Sequence, residues 1–163
     1  MTGELPETPA RASAAAGRRN PAFLRAAVLV VCLTQLGFAV AGLNANPDFA
    51  HGATATSVAV LGVDFNGWHA LAGFALFGPG LVAAKRADWS FWYAISAMAV
   101  LVVTGVWGLL DRRPAAGLLF FPDNVGDAIF HFVSAAFLAV ILLLHGRIYA
   151  SRSMKGDHGR LRP

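Results

Sequence analysis

Four long apolar blocks, separated by short polar stretches, dominate the hydrophobic pattern of the chain. They cover residues 26–43, 65–84, 91–110 and 126–144, and each is close to the ~20 residues that a helix needs to cross ~30 Å of hydrocarbon. In lipid, only helices and closed barrels satisfy their own backbone hydrogen bonds, and four blocks cannot close a barrel. The pattern therefore predicts an all-α fold, an integral membrane four-helix bundle.

The composition agrees with a chain that is solvated by lipid. Hydrophobic residues make up 56% of the chain and charged residues only 13%, whereas about 25% charge is typical of a soluble domain. The charges lie between and outside the blocks. We expect a disordered cytoplasmic tail over residues 1–21, a four-span transmembrane domain over 22–146 and a basic cytoplasmic tail over 147–163.

The basic residues predict the orientation, because cytoplasmic loops carry an excess of Lys and Arg. Only Arg112 and Arg113 fall on one side of the predicted bundle. The other side holds Arg11, Arg18, Arg19, Arg25, Lys85, Arg86, Arg147, Arg152, Lys155, Arg160 and Arg162. This favours a multi-pass protein of the plasma membrane with both termini in the cytoplasm. Cleavage of a signal peptide near Ala41 is the alternative, and the long preceding tail and long apolar block argue against it.

The second and fourth spans begin with polar residues at similar spacing. Asn66-x-x-His69 opens one span, and Asn124-x-x-Asp127-x-x-x-His131 opens the other. Asparagine is a good N-cap residue, and a carboxylate in the first turn is favoured by the positive helix end. Asp127 and His131 are four residues apart and so lie on one helix face, where we expect them to pair.

The two halves of the chain therefore look like two tandem parallel repeats, each a helical hairpin. The loop before each polar helix start carries a Pro-Asp pair, at Pro47-Asp48 and Pro122-Asp123. The matched positions are few, so an unduplicated bundle is the alternative.

Ionisable residues inside a span are costly and mark candidate sites. His69 and His131, with Asn66, Asn124 and Asp127, form the predicted polar cluster. One interpretation is that the cluster only caps helices and joins spans by hydrogen bonds. The others are a ligand or ion site, or a single b-type haem held by His69 and His131. We expect no cofactor and no dedicated metal site, with haem as the alternative.

Other chemistry has little support in the sequence. Cys32 is the only cysteine, and no Gly-rich phosphate loop or activated serine is present, so we expect no enzymatic activity. The net charge of +4 is not arranged as a basic stripe with aromatic residues, which argues against nucleic-acid binding.

The leading functional prediction is therefore action by association in the bilayer, as a homo-oligomer or within a larger membrane complex. Small residues permit close helix approach. They occur at Gly37, Ala41, Gly105 and Gly108. The competing prediction is a redox or ligand-binding protein that uses His69 and His131.

Short motifs across residues 22–146 resemble a family of small bacterial membrane proteins, the domain of unknown function 4383. They are Gly42-Leu43 with Asn46-Pro47, Phe65-Asn66-x-x-His69, and Asn124-x-x-Asp127-x-x-x-His131. The resemblance implies four spans and no assigned biochemical role. It also implies a second histidine four residues after the first on span two, and here that position is Gly73.

Overall fold

The computed structural model describes residues 21–50, 54, 56–110 and 124–158, with side chains described over 22–50, 54, 56–110 and 124–146. Its elements are α1 (Pro21–Ala45), β1 (Val58–Val60), β2 (Val63–Phe65), α2 (Gly67–Ala83), α3 (Ala87–Leu110) and α4 (Val125–His158). The four predicted helices are confirmed, and the chain is a helical bundle of the all-α membrane type.

Three of the helices are long and apolar enough to cross a membrane. They are α1, α3 and the part of α4 that runs over Val125–Gly146. Helix α2 is equally apolar but has only 17 residues, which corresponds to ~25 Å. Large hydrophobic side chains are exposed along all four helices, as expected where lipid replaces water.

The helices pack as two antiparallel hairpins, α1 with α2 and α3 with α4, which are the two most extensive helix contacts. The main core lies between them and is built around Leu24, Val28, Leu101 and Leu138, all almost completely buried. At the opposite end from the polar helix starts, Arg25 Nε donates to the Ala84 carbonyl over 2.9 Å, which ties α1 to the connection between α2 and α3.

A two-stranded antiparallel β-hairpin precedes α2 and was not predicted. Val58 pairs with Phe65 and Val60 with Val63, so these four side chains share one face, of which Val63 and Phe65 are buried. Leu61 (φ 54°) and Gly62 (φ 86°) form the turn. Positive φ at both central residues matches the twist of a tight hairpin. We call the end of the bundle that carries this β-hairpin the hairpin end.

Several element boundaries differ from the predicted ones, including the start of α3, which is Ala87 and not residue 91. Phe65 ends a strand, although it was expected to begin span two. Helix α4 continues to His158, through much of the tail expected from residue 147. The helix α1 begins at Pro21, where a proline fits the first turn because its missing N–H has no intrahelical partner. The remainder of the predicted N-terminal tail, residues 1–20, lies outside the described residues.

Candidate functional site

Helix α2 starts at a buried N-cap. Asn66 has an extended backbone (φ −139°, ψ −179°), and its Oδ1 accepts a 2.9 Å hydrogen bond from the backbone N–H of His69. The bond satisfies one of the donors left open in the first turn. Asn66 is completely buried, so this end of α2 is enclosed within the protein. The predicted cap is confirmed, and it fixes the third residue of the helix, His69.

Helix α4 starts with a reciprocal pair of caps. The Asp127 N–H donates to Asn124 Oδ1, and the Asn124 N–H donates to Asp127 Oδ2, both over 2.9 Å. This is a capping box in which asparagine and aspartate satisfy each other's backbone. Asp127 is completely buried, and the positive end of α4 favours its carboxylate there.

The backbone of Asp64, in β2, joins the two helix starts. Its N–H donates to Asp127 Oδ2 over 3.3 Å, and its carbonyl lies 2.6 Å from His69 Nδ1. A carbonyl oxygen only accepts, so Nδ1 carries the hydrogen and the lone pair of the neutral ring is on Nε2. Asp127 Oδ1 lies 3.8 Å from the same Nδ1. This bridge was not predicted, although the alternating valines around Leu61-Gly62 are typical of a β-hairpin.

His69 and His131 meet at the hairpin end. Their ring centroids are 6.1 Å apart with an interplanar angle of 53°, and both residues are 9% exposed. The His69 ring stacks on Phe65 with centroids 4.5 Å apart, which holds its orientation from the β-hairpin side. The structure therefore brings the two predicted histidines together.

The predicted pairing of Asp127 with His131 is wrong. Asp127 turns toward Asn124, Asp64 and His69, as described above. His131 Nδ1 is buried, and no hydrogen-bond partner for it exists in the described part of the chain. Such a nitrogen costs about 1–3 kcal/mol unless water or a ligand supplies the missing bond.

Both histidines line a cavity of about 110 Å³ between the helices, which is partly open to the outside of the bundle. The other polar groups on its wall are Gln35 and Thr104, and the rest of the wall is apolar or aromatic. Gln35 Nε2 donates to Ser134 Oγ over 2.9 Å, which positions the amide. Gly73 also lines the cavity, so the position where the family resemblance implies a second histidine contributes open space here.

The cavity limits the size of a cofactor. Pockets for drug-sized ligands measure about 300–1,000 Å³. A cavity of about 110 Å³ is below that range, so a haem held between His69 and His131 would require the helices to separate. The described residues contain no group of three or more His, Cys, Asp or Glu side chains arranged to hold a metal ion.

The loop between α1 and the β-hairpin is built from a second polar network. Asn46 Nδ2 donates to the Phe65 carbonyl over 3.0 Å and to the Thr56 carbonyl over 3.2 Å. Asp48 accepts from Thr56 Oγ1 at 2.6 Å and from the Ala50 N–H at 2.8 Å. These bonds, with that of the Thr56 side chain first, lower the pKa of the Asp48 carboxyl below its usual range. The network explains the Asn46-Pro47-Asp48 motif as the support of the β-hairpin.

A close approach explains the glycine before this loop. A Cβ on Gly42 would overlap the Phe65 ring, so the end of α1 can pack against β2 only without a side chain there.

Comparison with known proteins gives a family but no activity. No curated protein and no solved structure matches the chain. The family model described as "Domain of unknown function (DUF4383)" matches residues 25–144, which include α2, α3, the β-hairpin, both histidines and the larger parts of α1 and α4. The chain therefore belongs to the DUF4383 family.

Proposed function

We propose that this chain is a multi-pass plasma-membrane protein that binds a small ligand between His69 and His131. The observation that carries the proposal is the buried His131 Nδ1, without a partner in the described part of the chain, beside a cavity that His69 also lines. A group used only to join helices would have its bond within the protein. Because His131 Nδ1 is buried without such a bond, we infer that it bonds to a ligand held in the cavity.

The proposed orientation rests on charge. Eleven of the thirteen Lys and Arg residues fall on the side of the chain termini, which supports cytoplasmic termini. The hairpin end, with the His69–His131 cavity, then lies toward the extracytoplasmic face. A ligand would enter from outside the cell or from the adjoining leaflet.

The size and wall of the cavity define the ligand class. An engineered cavity of about 150 Å³ binds benzene, so about 110 Å³ suits a molecule of that size or smaller. Since the wall is mostly apolar, the ligand would be largely apolar, with one polar group for an imidazole nitrogen. The same site could instead hold a metal ion that is bound by both imidazole rings and by additional small ligands.

The test is to identify what co-purifies with the protein. The wild-type chain would be extracted with its surrounding lipid in polymer nanodiscs and analysed by native mass spectrometry, metal quantification and absorption spectroscopy. The variants are His69→Ala and His131→Ala, with His145→Ala as the matched control. His145 is a buried histidine on the same helix as His131 and does not line the cavity.

We expect a stoichiometric ligand or metal in the wild type and in His145→Ala, and its loss from both cavity variants. A Soret band lost in the same two variants would establish haem and require the helices to separate. If folded wild type carries no ligand and its spectra match those of both variants, the proposal is wrong.

Association in the membrane is a second candidate, and one feature of α1 favours it. Gly37 and Ala41 lie four residues apart on the lipid-exposed face, with Thr34 and Val40 exposed beside them. A Cβ on Gly37 would meet no atom within 4 Å. By contrast, Gly105 and Gly108 are buried inside the chain, where Gly105 packs against Phe132, so they are used within the bundle.

The association candidate can be tested by energy transfer between labelled copies in liposomes. Gly37→Leu should abolish transfer if α1 forms a close interface, because the branched side chain keeps the backbones apart. Gly146→Leu is the matched control, since that glycine is equally open. Equal transfer in wild type and Gly37→Leu would refute an interface on this face.

A further inference from the structure

The tip of the β-hairpin carries a leucine in an unusual setting. Leu61 is 90% exposed, the highest value among the large hydrophobic residues of the described chain. Its φ is 54°, in the left-handed region, where turns of this type prefer Asn, Asp or Gly. Neither the turn nor the core of the protein accounts for a bulky apolar side chain at this position.

The tip lies at the level where α4 enters the membrane. The Gly62 carbonyl packs so closely on the first turn of α4 that a Cβ on Gly126 would overlap it. The candidate span in α4 begins at the residue before, Val125. Leu61, next to Gly62 in the turn, is therefore held at the boundary between the span and its surroundings.

An exposed apolar surface runs down α4 from its first residue. Val125, Ile129, Val133 and Phe137 follow one another at spacings of four residues and are 49%, 57%, 61% and 55% exposed. Residues four apart lie on one helix face, so these side chains form a continuous apolar stripe. A stripe of this kind on a membrane-spanning helix faces acyl chains. Leu61 belongs to the turn that packs on the first turn of α4, so it lies at the level where this stripe begins.

We propose that Leu61 inserts into the lipid leaflet at the hairpin end and anchors the β-hairpin to the bilayer. The occupant of this surface is the glycerol and upper acyl region of the lipid. Insertion removes the leucine side chain from water, and the free energy gained by this burial offsets the cost of its positive φ.

The test measures the surroundings of the side chain directly. Leu61→Cys in a Cys32→Ala background is labelled with nitrobenzoxadiazole and reconstituted into phosphatidylcholine vesicles. The matched control is Ala59→Cys in the same background. Ala59 is exposed on β1 and shares the hairpin face that carries Asp64, opposite the face of Val58 and Val60.

Aqueous iodide and lipids with brominated acyl chains serve as the two quenchers. We expect the label at position 61 to emit at shorter wavelength than the label at 59, to be quenched by brominated lipid and to be protected from iodide. Strong iodide quenching equal to that of the control would place the tip in water and overturn the proposal. Protection from both quenchers would place it against a second protein copy, which also overturns it.

Discussion

Removing the Asp127 carboxylate should destabilise the protein more than any other single change at the hairpin end. The carboxylate accepts from the Asn124 N–H over 2.9 Å and from the Asp64 N–H over 3.3 Å, and it is completely buried. A hydrogen bond to a charged group contributes about 1.5–3 kcal/mol. An acidic side chain in the first turn contributes about 0.3–1 kcal/mol through the helix dipole. Counting the 2.9 Å bond and the helix dipole, and adding nothing for the 3.3 Å bond, we expect Asp127→Ala to lower the free energy of unfolding by about 2–4 kcal/mol.

The assay is reversible unfolding in mild detergent micelles, with Asp88→Ala as the matched control. Asp88 is also an aspartate in a first helical turn, but its side chain is 56% exposed, and its ion-pair partner Arg86 is exposed as well. Surface ion pairs of this kind contribute little. A loss of unfolding free energy in Asp127→Ala that is no larger than the loss in Asp88→Ala would refute this prediction. The free energy of unfolding of Asp127→Asn should lie between those of the wild type and the alanine variant, because the amide oxygen can still accept one hydrogen bond.

Two further predictions concern the β-hairpin and its supporting loop. In Gly126→Ala the new Cβ overlaps the Gly62 carbonyl, so we expect the β-hairpin to move away from α4 and amide exchange in β2 to become faster. Gly146→Ala is the control, because a Cβ there meets no atom within 4 Å and should leave amide exchange in β2 unchanged. The pKa of Asp48 is lower in the folded protein, chiefly through the Thr56 side chain. Its stabilisation is therefore present above the unfolded aspartate pKa of about 3.9 and lost as pH falls through the lower folded value. The melting temperature should fall between neutral and acidic pH, and it should fall less in Asp48→Asn than in the wild type. Identical dependence of the melting temperature on pH in the two proteins would contradict this.

Local sequence rules succeeded where the partners are close along the chain. The caps at Asn66 and Asn124 were predicted because an N-cap acts on a backbone donor two or three residues away. The four helices were predicted because lipid imposes long apolar segments whatever the tertiary packing.

The partner of Asp127 could not be found in the same way. Spacing favoured His131, which lies on the same helix face, but the carboxylate is held by the backbone of a strand 63 residues earlier. That choice depends on how the β-hairpin docks on α4. The hairpin itself escaped prediction because its strands have three residues each and its turn has leucine where asparagine is usual.

The docking of the β-hairpin links the three parts of the hairpin end. The peptide groups of Asp64 hold His69 on one side and Asp127 on the other, so a shift of β2 moves one wall of the cavity and the cap of α4 together. Leu61 lies in the turn that leads into the same strand. If lipid holds the tip and a ligand holds His69, both act on the position of β2. Linkage then requires insertion of the tip to strengthen ligand binding, and ligand binding to strengthen insertion of the tip. Ligand binding should then slow amide exchange at Asp64 in the wild type, and Leu61→Asn should weaken binding although it touches no part of the cavity. Unchanged binding in Leu61→Asn would show that the cavity is positioned by the helices alone.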